Sequence, residues 1–360
     1  MQHAPAQKTA LHDLQAAQGG KMIDFHGWIM PVQFAGITAE HQAVRTAVGV
    51  FDLNHMGRLH LRGPGALAFL TRHVCRAIAD MKAGAVRYGL VLAEDGTVED
   101  DVLVSREGDD AFHIVVNASN KDKVLDLWRP AVPAGTVLKD LSATQGMIAV
   151  QGPKAIDLLK SLQLDGSALR NYHFTDVSWR GMTVRLSRTG YTGEDGCECF
   201  LPVERVGELW SAVVEAGAVR CGLGARDTLR TEAAMPLYGN ELDRTVTPVE
   251  AGLGFAINKA GGFIGDGVIL RQLAEGAPRR LAGLRMREKR VPRTGYAVLH
   301  GGQSVGTVTS GTLSPTLGAA IGMGYVPAAL AAPGTVVSVD LRGTPVEAEV
   351  VALPFYKRPR

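Results

Sequence analysis

Two sets of carboxylates in this chain sit where simple solvation does not account for them. Asp100 and Asp101 are adjacent within Thr97-Val98-Glu99-Asp100-Asp101-Val102-Leu103-Val104, a run that reads as a strand. Neighbouring strand residues point to opposite faces, so at most one aspartate is simply on the wet side; the other is satisfied by partners or serves a ligand. An edge strand wet on both faces is the competing reading. Glu198 closes Gly190-Tyr191-Thr192-Gly193-Glu194-Asp195-Gly196-Cys197-Glu198. Its three glycines permit a tight, partly left-handed turn, and its three carboxylates and one aromatic offer more charge and hydrogen bonding than a connection needs. A solvated hairpin loop is the bland alternative.

Other side chains extend the list. Asn117 ends the run Phe112-His113-Ile114-Val115-Val116 and offers both a donor and an acceptor, suited to the mixed edge of a heterocycle, or equally an Asx turn before the next helix. Met56 brings a polarizable sulfur suited to a flat ring, although an ordinary core methionine beside a satisfied, buried His55 fits as well. Arg226 stands near a helix start, where the dipole favours anions, so it is placed for a ligand carboxylate or a partner acid; a surface pair with Asp227 or Glu232 is the alternative.

The elements that must position these groups are readable. Met182, Val184 and Leu186 alternate as a half-buried strand, the glycine-rich loop follows, and Glu198-Cys199-Phe200-Leu201 forms a second strand that would hold Glu198 rigidly. Val86 to Val104 reads as a hairpin turning at Glu94-Asp95-Gly96. The spacing predicts a helix that buries Val124, Leu127 and Trp128, and another with Val206, Leu209, Trp210, Val213 and Val214 on one face. Trp28 beside Gly27, with Pro31 close behind, suggests a bend with a large apolar anchor. Helices and antiparallel strands alternate, which gives an α+β class. From Arg279-Arg280 onward the chain is strands separated by Gly/Pro turns, including a hairpin around Arg342-Gly343-Thr344, the pattern of a small all-β barrel.

A chain of 360 residues exceeds what one core usually supports, and two or three domains are expected, with a boundary near residue 277. At 46% apolar and 21% charged the composition is that of an ordinary globular protein, with nothing suggesting disorder. A net charge of +2 with scattered Lys and Arg argues against a nucleic-acid surface. Four cysteines are no disulfide framework, and Cys197 and Cys199 share a strand face, which is poor geometry for pairing with each other. No apolar run approaches the ~18 residues of a membrane helix, and Met1 to Ala10 is polar, so neither a membrane span nor a secretory signal is expected and a cytoplasmic location is. A targeting peptide already cleaved remains open. No metal is expected, because the ten histidines show no HxxxH and the cysteines no CxxC spacing. Gly261-Gly262-Phe263-Ile264-Gly265-Asp266-Gly267 lacks the Gly-Lys-Ser/Thr ending of a phosphate loop.

Taken in order, FDLNHMG at 51–57, DGTVEDDVLV at 95–104, GYTGEDGCE at 190–198, ARDTLRTEAAMPLYGNEL at 225–242, TPVEAGL at 247–253, TVTSGTLSP at 307–315, GMGYVP at 322–327 and PFYKR at 354–358 make a set that resembles the aminomethyltransferase family, the T-proteins of the glycine cleavage system. The resemblance covers nearly the whole chain. It implies a three-lobed, cloverleaf-like folate-binding fold around a central channel, with two interleaved lobes within residues 1–277, the second roughly 55–145 plus a later segment, and a C-terminal β-barrel at 278–360. The implied reaction takes the aminomethyl group on the lipoyl arm of the H-protein, releases ammonia and forms 5,10-methylenetetrahydrofolate with tetrahydrofolate as co-substrate. The implied partners are lipoylated H-protein and, functionally, glycine decarboxylase and dihydrolipoyl dehydrogenase.

Matched residue by residue, Asp101 corresponds to the acid beside the reacting folate nitrogens, with the task of positioning folate and stabilising developing positive charge; a proton-transfer role is a separate question. Glu198 matches the acceptor for the pterin donor edge. Tyr88, Met56, Val115, Asn117 and Tyr191 fall where the family lines its pterin and aminobenzoyl pocket, with Tyr238 a further candidate. Arg226 matches a folate-site arginine and Arg358 another near the channel, suited to an anionic glutamyl tail. The sequence departs from the family pattern at Thr97, where a second glycine is common, and at Asn54, where serine often stands. A folate-dependent demethylase of a small methylated substrate would share this pocket. A non-catalytic folate-binding relative linked to iron–sulfur assembly is disfavoured, because its Lys-Gly-Cys-x-x-Gly-Gln segment is absent and Asp101 is present.

Overall fold

Alternating runs pair as ladders and amphipathic stretches pack on them as helices, so the fold is α+β. The computed structural model describes residues 6–359; residues 1–5, part of the polar N-terminal stretch, and residue 360 lie outside these. Contacts divide the chain into two units, each drawn from three stretches: residues 1–69, 78–87 and 102–227 form the first, and residues 70–77, 88–101 and 228–360 the second. The chain changes unit inside two strands, Val86–Leu92 after Arg87 and Val98–Gly108 after Asp101.

The first unit holds a six-stranded sheet in the order Phe174–Trp179, Met182–Ser187, Gly196–Pro202, Gln145–Gln151, Gly49–Asp52, Val219–Cys221. All neighbours are antiparallel except the last pair. One face of the sheet, through Ile148, Val150, Val184, Leu186, Cys197 and Cys199, shares a core with Leu209, Trp210 and Val213 of helix Val206–Glu215, whose 3.6-residue spacing turns those side chains inward. Cys197 and Cys199 lie in that same core, as alternation requires, and both are free thiols.

Two local expectations are corrected. Trp28 and Pro31 do not form a bend: Trp28–Gln33 is a strand, and the turn precedes it at His26 and Gly27, both with positive φ. Pro31 is tolerated because Gln7–Lys8 pairs only with Trp28 and Ile29, and the ladder on the other side is irregular at Lys21/Met22, opposite Pro31. In helix Lys121–Trp128 the buried arc runs from Val124 through Trp128 to Leu125, while Leu127 lies roughly 100° from its centre and is 46% exposed.

The second unit contains a closed barrel, in the order Arg279–Met286, Ala320–Pro327, Gln303–Leu313, Ala297–His300, Val336–Asp340, Pro345–Val351. Its last hairpin turns on Arg342 and Gly343, whose φ values of 60° and 85° suit the right-handed twist of the flanking strands. A bulge between Val308 and Ser310 takes Thr309 out of the ladder and aims its hydroxyl at Glu241, 2.6 Å away. Glu241 also pairs with Arg230 at 2.8 Å, both side chains being essentially inaccessible, and Arg230 in turn donates to Ser310 at 2.8 Å. The two departures from the family pattern have structural work here: Asn54 donates to Asp52 and accepts from the Met147 N–H, and Thr97 bonds to Asp95 in the turn and accepts from Arg244.

Arg230→Met is expected to cost about 3–5 kcal/mol, because it leaves Glu241 as a buried, uncompensated charge. Denaturant unfolding of variant and parent checks this; a loss below about 1 kcal/mol, the usual worth of an exposed pair, would show that the pair is not structural.

Candidate functional site

The loop between strands Met182–Ser187 and Gly196–Pro202 is fixed by its own charges. Arg45 donates to the Thr192 carbonyl at 2.7 Å and to Glu194 at 2.9 Å, with both side chains buried. Arg188 makes a forked pair with Asp195, at 2.6 and 3.1 Å. Gln151 donates to the Thr189 carbonyl at 3.2 Å and accepts from Thr192 at 2.9 Å. Gly190 leaves room for that amide, since a Cβ there would stand 2.0 Å from Gln151 Oε1 and would displace it. Two of the three loop carboxylates are therefore structural.

Glu198 is the third. It sits in the strand opposite Ala149 and Ser187, is 5% exposed, and accepts from the Thr189 hydroxyl at 2.5 Å through Oε2. Burial pushes its carboxyl above the ordinary 4.5, while the Thr189 hydrogen bond and the positive charge of Arg226 pull the other way. Arg226, on helix Leu223–Glu232, lays its guanidinium over the Tyr191 ring, 4.6 Å from the centroid. His55 is driven down to about 3 by burial, with Arg226 and Arg58 adding to the effect, so its imidazole is neutral. Its ring meets Phe25 edge-on at 6.2 Å, and its Nδ1 has no hydrogen-bond partner among the described residues. Gly57 pairs with Val116, so Met56 and Asn117 flank one end of that strand pair, and Val115 is buried opposite Arg58 and Leu103. Asn117 does not cap the following turn with its side chain, so the Asx-turn reading is not needed.

Six candidates thus belong to the first unit: Met56, Val115, Asn117, Tyr191, Glu198 and Arg226. Tyr88, Asp101, Tyr238 and Arg358 belong to the second. Asp100 is fully buried and Asp101 half-buried, which overturns the reading of a strand wet on both faces. Asp101 is the residue at which the chain leaves the second unit. Tyr88 is stacked with Phe255 at 6.2 Å and 25° between ring planes, and the Tyr238 hydroxyl donates to the Val98 carbonyl at 3.4 Å. Arg358 is half-buried, two residues beyond Tyr356, whose N–H donates to the Glu232 carbonyl at 2.9 Å. Sequence reasoning missed Thr189 and Phe255; a hydroxyl immediately before Gly190 was the available signal for the first, and nothing local marked the second.

Residues 11–261 match the family described as GCVT N-terminal domain, and residues 279–357 match the glycine cleavage T-protein C-terminal barrel domain. The chain belongs to the aminomethyltransferase family of the glycine cleavage system. It is similar to the aminomethyltransferase of Geobacillus kaustophilus, 46% identical over 359 residues with 98% of this chain and 99% of the relative covered. That of Bacillus subtilis is 45% identical over 360 residues, with the same coverage. The crystal structure of glycine cleavage system aminomethyltransferase T from Bartonella henselae aligns with a TM-score of 0.93 at 31% identity, covering 98% of each chain. As an aminomethyltransferase the protein transfers the one-carbon unit of aminomethyl-dihydrolipoyl H-protein to tetrahydrofolate, with release of ammonia. The donor set fits that co-substrate: a buried carboxylate with one oxygen already held by a hydroxyl, and a cation and an aromatic face close by.

A carboxyl whose pKa is raised by folding holds its proton more tightly in the fold, so its stabilising contribution is full below 4.5 and is lost as pH rises through the folded value. Glu198→Gln is therefore expected to melt progressively higher than the parent as pH climbs from about 4 to about 8. Paired thermal melts across that range test it; a difference independent of pH counts against the buried, destabilised carboxylate.

Proposed function

We propose that Asp101 is the charged group beside the reacting nitrogens of tetrahydrofolate and that Glu198 is the acceptor for the donor edge of its pterin. The observation that carries this reading is the Glu198 environment: a strand-held, nearly inaccessible carboxylate, oriented by Thr189 and balanced by Arg226, which itself lies on Tyr191. A carboxylate so deprived of water has a strong need for N–H donors, and a flat heterocycle with adjacent N–H groups meets it. Tetrahydrofolate, when bound, supplies the nitrogens that take up the one-carbon unit.

The remaining candidates divide by chemistry. Asn117 suits a mixed donor and acceptor edge; Met56 and Val115 give apolar contact to a flat ring; Tyr88, Tyr191 and Tyr238 supply aromatic faces. Arg226 counters the burial of Glu198, and Arg358 is suited to the carboxylates of a glutamyl tail. Asp101 acts electrostatically: half-buried, it presents negative charge where positive charge grows during transfer. The division at 277/278 belongs to the same reading, supported by a helix ending at Glu275 and a barrel beginning at Arg279. So does functional association with glycine decarboxylase and dihydrolipoyl dehydrogenase through the lipoylated H-protein. Work in the cytoplasm is supported by four cysteines, all free.

Purified protein given tetrahydrofolate and aminomethyl-loaded H-protein is expected to yield 5,10-methylenetetrahydrofolate and ammonia. Asp101→Asn should lower turnover by about 10²–10³ with tetrahydrofolate affinity nearly unchanged, as expected when charge stabilisation is removed from the transition state alone. Undiminished turnover in the variant would remove Asp101 from its role.

A further inference from the structure

The turn at residues 53–56, which carries Met56, is held between two buried charges that the folate contacts do not use. Asp52 is buried and its direct partners are neutral: it accepts from the Thr9 hydroxyl at 2.7 Å, the Asn54 N–H at 2.8 Å and the Asn54 amide at 2.6 Å. Arg58 is fully buried as well, and its donors go to carbonyls, one terminal nitrogen to those of Asn54, at 2.9 Å, and Met56, the other to that of Ser142 at 2.6 Å. Burial lowers Arg58 to about 10, and the charges of Asp140 and Asp52 work against that. The carboxylate thus holds an N–H of the turn and the guanidinium holds its carbonyls, while the Met56 N–H closes it on the Leu53 carbonyl at 3.1 Å. Asn54 adds a further anchor by accepting from the Met147 N–H at 3.0 Å. Just beyond, Gly57 lies so close to Val116 that a Cβ would stand 2.4 Å from that side chain. Met56 is left with one path, ending at the strand pair that also leads to Asn117.

We propose that Asp52 is a positioning residue for tetrahydrofolate, acting through Asn54 and the turn at residues 53–56 on the Met56 side chain; this rests on the folate-site reading of Met56. Two buried charges without a direct ion pair are a costly way to make a four-residue turn, since each ion gives up its hydration. A turn that only connects two strands is made by glycine and small polar residues. What the charges add is a single geometry: an anion fixed to the N–H side and a cation fixed to the carbonyl side penalise every other path of the backbone. A thioether on an unbranched, flexible side chain gains most from such a backbone, because its own torsions hold it least.

The test measures tetrahydrofolate Kd and steady-state kinetics for the parent, Asp52→Asn, Met56→Ala and the double variant, with Asn54→Ala and Asn54→Ser beside them. Met56→Ala is expected to weaken tetrahydrofolate binding by about three- to tenfold, the loss of a sulfur contact to a flat ring. Asp52→Asn, which keeps the shape and removes the charge, should weaken it by a similar factor, and the loss should fall on KM for tetrahydrofolate rather than on kcat or on KM for aminomethyl-loaded H-protein. The double variant should bind within about twofold of Met56→Ala alone, because both changes remove the same contact. Asn54→Ala should share the loss and Asn54→Ser recover most of it, since a hydroxyl can donate to the same carboxylate. Should Asp52→Asn not fold, Asn54→Ala combined with Met56→Ala gives the same cycle. Unchanged binding by Met56→Ala would sink the folate-site reading of Met56 and the proposal with it. Losses that multiply in the double variant, or that fall equally on both substrates, would show that Asp52 supports the fold at large; they overturn the proposal and leave that reading standing.

Discussion

The buried pair of Arg230 and Glu241 ties the barrel to the segment before it within the second unit. Both side chains are shut away from water, and each has further fixed partners: Arg230 donates to Ser310 and to the Met235 carbonyl, and Glu241 accepts from Thr309 and the Leu237 N–H. Such a pair adds little net stability compared with a well-packed apolar contact, but it penalises every arrangement that separates its members. It therefore sets register. Strand Gln303–Leu313 can seat only with Thr309 bulged out and Ser310 beneath the guanidinium, and Tyr325 of the neighbouring strand adds a hydroxyl bond to the Glu241 carbonyl at 2.7 Å. Tyr238 lies within the same segment, and its hydroxyl donates to the Val98 carbonyl.

In the first unit the same logic appears with more solvent. The loop from Thr189 to Gly196 carries its charges in pairs with Arg45 and Arg188, and these pairs, not the glycines alone, decide where Glu198 is presented. Glycine permits the path; the arginines select it. Glu198 differs from its two acidic neighbours in having a hydroxyl rather than a guanidinium as its direct partner, and it is burial that raises its carboxyl.

How much of this could be read from the amino-acid order depended on the range of the interaction. Strand alternation, the Asp95-Gly96 turn, the helix carrying Trp210 and the barrel were legible because each is written in neighbours. So was the tension at Asp100 and Asp101, since two adjacent carboxylates cannot share a face. Pro31 was misread because its cost depends on which strands lie beside it, and Leu127 because the arc a helix buries is set by what it packs against. Arg45 meets Glu194 across 149 residues of chain, and Arg226 was assigned its ligand-facing character without any hint that Tyr191 would lie under it. Resemblance to a family supplied the candidate residues together; local chemistry alone supplied only Asp101, Glu198, Asn117, Met56 and Arg226.

Because the second unit takes residues 70–77 and 88–101 from the early part of the chain and everything after 227 from the end, its pieces leave the ribosome at different times. At ~5–20 residues per second, the early strands wait on the order of ten seconds for the segments that complete their core. During that interval Leu90, Leu92 and Val98 lack Leu242, Phe263 and Ile269, with which they finish in one core. Vectorial synthesis therefore runs against this topology, and the core of the second unit closes only after its C-terminal segments have been made.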